Sequence, residues 1–375
     1  MKIGFDAKRA FNNSTGLGNY ARLLIKSLIQ NFPENTYYLF TPIIDEKFKD
    51  EFIDFKQVEI IKPEGLINKK FPAAWRSFSV GDIVNNLGLD IFHGLSNELP
   101  SGINQINTKC VVTIHDLIFL RYPNYYNNID AYIYKKKFNN ACKNADLILA
   151  TSLQTELDIV HFFRTDKAKI KVLYQACDGA FSTTYTSQEK HSVAIKYNLP
   201  HQFILSVGTI ETRKNQLTIL EALGNLNSDW HLVLIGKKTN YADEIMDYAT
   251  TNNLLNRLHI FENISFSDLP IIFQCGSLFA YISEFEGFGI PVLEAMNSKI
   301  LVVTSNVSSL PEVIGNPQQT INPLNSSELV DFIENKYNNL ETKNLLIEQA
   351  NQRAEMFDKN RLAHQLMNNY INLLS

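Results

Sequence analysis

The residues best suited to chemistry lie in two short runs in the second half of the chain. One reads Ser283-Glu284-Phe285-Glu286-Gly287-Phe288-Gly289-Ile290-Pro291-Val292-Leu293-Glu294-Ala295-Met296 and follows an apolar stretch at 278–282. Gly287 and Gly289 let backbone come close to a ligand, and Pro291 suits the first turn of a helix. A glycine loop entering a helix start gathers unpaired N–H donors at the positive end of the dipole, an arrangement that suits a phosphate. Glu286 falls in the loop and Glu294 a turn into the helix, where both can face one cleft. Carboxylates accept hydroxyl protons, so a sugar or a ribose is their natural partner. The plain alternative is a capped helix with two solvated glutamates.

The other run is Val207-Gly208-Thr209-Ile210-Glu211-Thr212-Arg213-Lys214-Asn215, again after an apolar run and before a helix. Cations at a strand's carboxyl end neutralise a diphosphate, Arg213 through a planar fork and Lys214 as a point charge. In the first half, Gly16-Leu17-Gly18-Asn19-Tyr20-Ala21 matches a loose G-x-G-x-x-A pattern. It stands too far beyond the first strand, with no acid at the expected place in the second, to be a nicotinamide fingerprint. It reads instead as a flexible loop over a phosphate or an acceptor hydroxyl, with an ordinary turn as the alternative. His115, with Asp116, ends an apolar run at 110–115, and His93 ends another at 90–93. Each is a site histidine or a structural hydrogen-bonder.

Elements placing these side chains alternate in type along the chain. Strand-like runs fall at 2–5, 37–41, 58–62, 90–93, 110–115, 147–151 and 171–174, and then at 203–207, 231–235, 259–261, 278–282 and 301–303. Helix-period segments lie between them, at 19–30, 216–223 and 242–250 among others, and the chain is mostly helical beyond 328. This is parallel α/β architecture in two doubly wound, Rossmann-like domains, with a site expected in the interdomain cleft outside the strands' carboxyl ends. Asp178-Gly179 and a Ser/Thr-rich stretch mark a boundary between 175 and 185. The expected domains are 1–175 and 176–355, with a C-terminal helix at 356–375 packing back on the first.

Composition narrows the function classes. In 375 residues, 45% are hydrophobic and the net charge is −4, so a globally basic nucleic-acid binder is disfavoured and disorder is excluded. No stretch is apolar for long enough to span a membrane, and Asp6, Lys8 and Arg9 stand where a signal peptide would be apolar. A cytoplasmic protein is expected. Cys110, Cys142, Cys177 and Cys275 lack paired-ligand spacing, which predicts buried free thiols and no metal site.

The E-x7-E pair Glu286/Glu294, the E-G-F-G-I-P-V-L-E-A run, the E-T-R-K-N run and the early glycine loop together resemble the retaining glycosyltransferases of family 4, enzymes of GT-B fold. The likeness runs over essentially the whole chain, including Ser309-Leu310-Pro311-Glu312-Val313. It implies that Glu294 binds the ribose hydroxyls of the nucleotide. Glu286 would contact the transferred hexose with the amides of Gly287, Phe288 and Gly289. Lys214, assisted by Arg213, would hold the diphosphate; Gly16 would let the N-terminal loop close over the phosphate, and His115 would lie near sugar and acceptor. Two departures stand out: Thr209 occupies a place where many relatives carry arginine, and 357–360 lacks a tryptophan common there. The T-I-E-T-R-K-N variant looks most like bacterial mannosyltransferases of surface polysaccharide synthesis, which points to GDP-mannose as donor.

The resemblance thus implies a hexosyltransferase with a nucleotide-sugar substrate, no cofactor and no obligatory metal. Its acceptor would be a saccharide or a polyprenyl-linked saccharide. Rival readings are a transferase using a UDP-sugar, a nucleotide-sugar epimerase or hydrolase, a nicotinamide dehydrogenase, and a silent carbohydrate-binding protein. The basic–aromatic clusters Lys69-Lys70-Phe71 with Trp75-Arg76, and Lys135-Lys136-Lys137-Phe138, suggest peripheral contact with the inner membrane face, against the alternative of a solvated charged surface.

Overall fold

The structure, a computed structural model, describes residues 1–103 and 107–375, and the side chains of 66, 67 and 69 fall outside that description. The chain divides into two units, Met1–Ala176 with Phe357–Ser375, and Cys177–Met356.

Unit 1 is built on a seven-stranded sheet in the order β3-β2-β1-β4-β5-β6-β7. The strands are β1 (Lys2–Asp6), β2 (Thr36–Phe40), β3 (Val58–Ile61), β4 (Ile91–Gly94), β5 (Lys109–Ile114), β6 (Leu147–Ala150) and β7 (Ile170–Val172). All neighbours pair parallel. A parallel sheet covered on both faces buries its inner strands, which is why β1, β4, β5 and β6 read as apolar runs, while the edge strands β3 and β7 are only partly buried. The final helix, Lys359–Leu374, buries Leu362, Ala363, Leu366, Met367 and Tyr370 in the same core as Ile25, Leu28 and Ile29 of the helix Gly16–Asn31.

Unit 2 repeats the plan with six parallel strands, β10-β9-β8-β11-β12-β13. These are β8 (Phe203–Val207), β9 (His231–Ile235), β10 (Leu258–Phe261), β11 (Leu278–Tyr281), β12 (Val302–Ser305) and β13 (Thr320–Ile321). Two doubly wound α/β units are therefore present, as expected. Two details differ. The two-residue β13 is too short to leave a periodic signal. The early glycine segment, expected as a flexible loop before a helix at 19–30, is the first turn of the helix Gly16–Asn31. Asn13 makes this possible: its Oδ1 accepts from Thr15 N (2.9 Å), Thr15 Oγ1 (2.7 Å) and Gly18 N (3.1 Å), so the first turn is held by a side chain outside it.

Candidate functional site

In an open parallel sheet, loops part at the point where the strand order reverses, leaving a crevice beyond the strands' carboxyl ends. In unit 2 the reversal lies between β8 and β11. Both runs singled out from the sequence are the loops that leave these two strands.

The loop after β8 forms the tight turn Thr212–Lys214 and ends at Asn215, whose φ of 54° is left-handed. Asn215 is anchored by its Nδ2 donating to the Pro323 carbonyl (2.6 Å) and its Oδ1 accepting from Thr218 Oγ1 (2.9 Å). The loop after β11 is tied across the crevice, since Glu284 N–H donates to the Arg213 carbonyl at 2.9 Å. Gly289 then starts the helix Ile290–Asn297 with φ 116°; a Cβ there would also meet Leu310 at 2.7 Å, so only glycine fits.

The three charged groups expected at the heart of the site are in contact. Glu286 Oε1 lies 2.6 Å from Lys214 Nζ and 3.0 Å from Arg213 Nη1. Arg213 also donates to the Phe285 carbonyl (2.7 Å) and pairs with Glu211 (2.6 Å). Lys214 Nζ donates to the Tyr281 hydroxyl and sits 4.8 Å from that ring's centroid. Burial by itself would raise the Glu286 carboxyl; the Arg213 and Lys214 cations outweigh it and hold the group down at about 2. Burial and the adjacent Arg213 pull the Lys214 ammonium down from its usual range. The Glu286 backbone is braced by Ser308 and Ser309. Its N–H donates to Ser308 Oγ (3.1 Å), and Ser309 Oγ donates to the Glu286 and Phe288 carbonyls (3.0 and 2.8 Å).

The helix start after Gly289 closes its own first turn. Pro291 has no N–H, and the N–H groups of Val292 and Leu293 turn back to the Gly289 carbonyl at 3.0 and 3.4 Å. Gly287, Phe288 and Gly289 are themselves buried. Glu294 stands a turn into this helix, half-buried, with no cation beside it among the described residues. Burial, with the Asp178 carboxylate nearby, pushes its pKa up to about 8. Such a carboxyl is short of donors, and a pair of ribose hydroxyls would supply them.

In unit 1, His115 leaves β5 with its ring fully engaged. Nε2 meets the Leu95 carbonyl at 2.8 Å and Nδ1 meets Gln175 Nε2 at 3.1 Å. The amide donates to Nδ1, so the proton sits on Nε2 and the ring is neutral; burial holds its pKa at about 4. His115 is therefore built to position, and His93 lies deeper still. His93 bridges Tyr370 Oη (2.6 Å) and Thr113 Oγ1 (2.8 Å) in the core, a structural role. Gly16 lies exposed at the helix start with open space around it. The steric demand falls on Gly18, where a Cβ would stand 1.9 Å from the Asn13 carbonyl oxygen.

The surface clusters also need revision. Trp75 is buried (2% exposed), Arg76 is tied to acids, and Phe138 is buried, while the Lys69 side chain lies outside the described residues. The exposed apolar residues near these clusters include Phe71 and Phe78, and on the helix Asn128–Asn144 Ile129, Tyr132, Ile133 and Tyr134. No helix among the described residues is long and apolar enough to cross a membrane. All four cysteines are free, two of them buried and two half-buried. Sequence reasoning missed Tyr281, Ser308 and Asp178. Tyr281 closes the strand before the glutamate loop, a position that could have flagged it; Asp178 had no such signal, being remote in sequence from Glu294.

Over residues 14–180 the chain matches the family described as Glycosyltransferase Family 4, and over 187–353 that described as Glycosyl transferases group 1. It is 29% identical over 238 residues to the O-antigen chain mannosyltransferase B of Escherichia coli, covering 62% of this chain and 61% of that one. It is 30% identical over 274 residues to the serotype-specific mannosyltransferase WbdA of Escherichia coli, covering 68% of this chain and 33% of WbdA. The chain thus spans less than two thirds of the length of these relatives. Among solved structures, Anabaena Alr3699/HepE in complex with UDP and glucose has a similar fold, with TM-score 0.76, 18% identity, and coverage of 99% of this chain and 100% of that one. The two matched regions fall one on each Rossmann-like unit, and the chain belongs to glycosyltransferase family 4, with the GT-B fold.

Proposed function

We propose that the protein transfers a hexose from a nucleotide-diphosphate donor to a saccharide acceptor, with retention at the anomeric carbon, in surface polysaccharide synthesis. The observation that carries this reading is the contact of Arg213 and Lys214 with Glu286 at the β8/β11 crevice. Mannosyltransferase relatives favour mannose as the sugar and GDP-mannose as the donor.

The barrier to such a transfer is the charge that develops on the departing diphosphate and on an oxocarbenium-like sugar. Preorganised cations stabilise that charge most when they are already fixed and shielded from water. Lys214 and Arg213 meet both conditions, and they supply charge that a divalent metal would otherwise bring. Glu286, ionised, contacts the sugar once the diphosphate has taken over the cations. Glu294 accepts from the ribose hydroxyls, and Gly16 would let the backbone at the start of its helix approach the phosphate. A donor phosphate oxygen takes the acceptor's proton. No enzymatic base is then needed, which agrees with a neutral His115 whose two nitrogens are already in use.

The acceptor we favour is a polyprenyl-linked saccharide, met at the inner membrane face. Ile129, Tyr132, Ile133 and Tyr134, next to Lys135, Lys136 and Lys137, form an exposed apolar and basic strip suited to an anionic bilayer. Flotation with anionic vesicles tests it; equal recovery with neutral vesicles counts against it. The donor is tested by thermal shift with GDP-mannose, UDP-glucose, UDP-N-acetylglucosamine and NAD, since a ligand that binds only the folded form raises its melting temperature. GDP-mannose should stand out. Turnover of the donor without any acceptor would move the assignment to an epimerase or hydrolase.

A further inference from the structure

Unit 1 has its own reversal of strand order, between β1 and β4, and a crevice is expected there on the same grounds. Charged residues fill its rim. Asp6 closes β1 and is 4% exposed. Arg76 lies against it, with Nε at 2.7 Å and Nη2 at 2.6 Å from Oδ2, and reaches Glu98, after β4, with Nη1 at 2.8 Å. The other Glu98 oxygen takes Lys137 Nζ at 3.2 Å. Both carboxylates are thus occupied.

Lys8 and Arg9, immediately beyond β1, are half-buried and make no ion pair or side-chain hydrogen bond among the described residues. Burial and the neighbouring Arg76 and Arg9 lower the Lys8 pKa, and the opposing pull of Asp6 and Glu98, already engaged by Arg76, does not make up for them. Arg9 is also close enough to His115 to disfavour its protonation. Four cations (Lys8, Arg9, Arg76, Lys137) face two acids (Asp6, Glu98), and a dianion would balance them. Partly dehydrated cations without acceptors cost free energy, and a sugar hydroxyl cannot repay that as a phosphate oxygen can.

We propose that Lys8 and Arg9, over the β1/β4 crevice, bind a phosphate ester of the acceptor, the diphosphate of a lipid-linked saccharide. This rests on the transferase reading above, in which the donor's own diphosphate is held by Arg213 and Lys214.

The test uses the full chain saturated with GDP, titrated calorimetrically with farnesyl diphosphate, farnesol and inorganic pyrophosphate. The double variant Lys8→Gln/Arg9→Gln leaves Arg76 to hold Asp6 and Glu98. Two charge-assisted contacts predict that farnesyl diphosphate binds the wild type and loses about tenfold or more in affinity in the variant. Farnesol should bind neither protein, and GDP affinity and melting temperature should be unchanged. Equal farnesyl diphosphate affinity in variant and wild type overturns the proposal. Pyrophosphate binding as tightly as farnesyl diphosphate overturns the lipid-linked acceptor as its source. Failure of the wild type to bind either GDP or UDP would strike the transferase reading instead, a separate result.

Discussion

Replacing Glu294 by glutamine tests the ribose-binding assignment through stability as well as affinity. The carboxyl titrates at about 8 in the folded protein, against an ordinary value of 4.5. Between these values the unfolded chain is ionised while the folded one keeps its proton. Stability contributed by this group is therefore complete below pH 4.5 and is lost as pH rises through 8. At pH 7 the cost amounts to about 3 kcal/mol at most, and solvent around a half-buried group reduces it to about 1–2 kcal/mol. Glu294→Gln removes that cost, so the melting temperature of unit 2 should rise by about 3–6 °C at pH 7 and hardly change at pH 4.5. Donation from ribose hydroxyls favours the carboxylate, so wild-type affinity for GDP should increase with pH up to about 8, and the variant should bind weakly with a flat profile. Differential scanning calorimetry and isothermal titration from pH 5 to 9 read both. A variant that melts no higher than wild type at pH 7, or that keeps the wild-type pH dependence of GDP binding, would refute the reasoning.

Other expectations are more direct. Lys214→Ala removes the cation that Glu286 and Tyr281 hold, and should lower kcat by on the order of 100-fold or more with an unchanged circular dichroism spectrum; near-normal turnover would take Lys214 out of the mechanism. Gly18→Ala drives a methyl into the Asn13 carbonyl and should destabilise unit 1 by about 2 kcal/mol or more, whereas Gly16→Ala, in open space, should be neutral or better in denaturant titration. His93 and His115 are held neutral by burial at about 3 and 4, below the unfolded value of 6.5, so the unfolded chain binds more protons in acid. Unit 1 should lose stability steadily as pH falls from 6.5 to 4, and His115 should leave no inflection in kcat between pH 6 and 8.

How much of this was readable beforehand depends on the range of each interaction. β8 and β9 were placed residue for residue, because a strand buried on both faces writes an unbroken apolar run. The glutamate loop and the Arg213-Lys214 turn were legible for a related reason: each directly follows such a run, and parallel winding sends all those ends to one edge. Asn13, by contrast, holds the first helical turn from outside the helix, so Gly16 and Gly18 looked like a loop, and the close approach that requires glycine at Gly18 left no local signal. Trp75 and Phe138 looked like surface aromatics beside lysines, yet tertiary packing buries both.

Local order therefore established the α/β class, the winding of both halves and the chemical types at the strand ends, since these follow from burial of one element at a time. Which groups meet was decided only by folding. Strand order brings β8 beside β11, and so puts Glu286 on Lys214; it brings β1 beside β4, and so lets Arg76 span Asp6 and Glu98. The same packing sets Asp178 near Glu294 and commits both nitrogens of His115 to neighbours. Periodicity reports whether a side chain faces inward. It carries no record of which distant side chain it will face, and the pKa of a buried group is set by that neighbour and by the water both have lost.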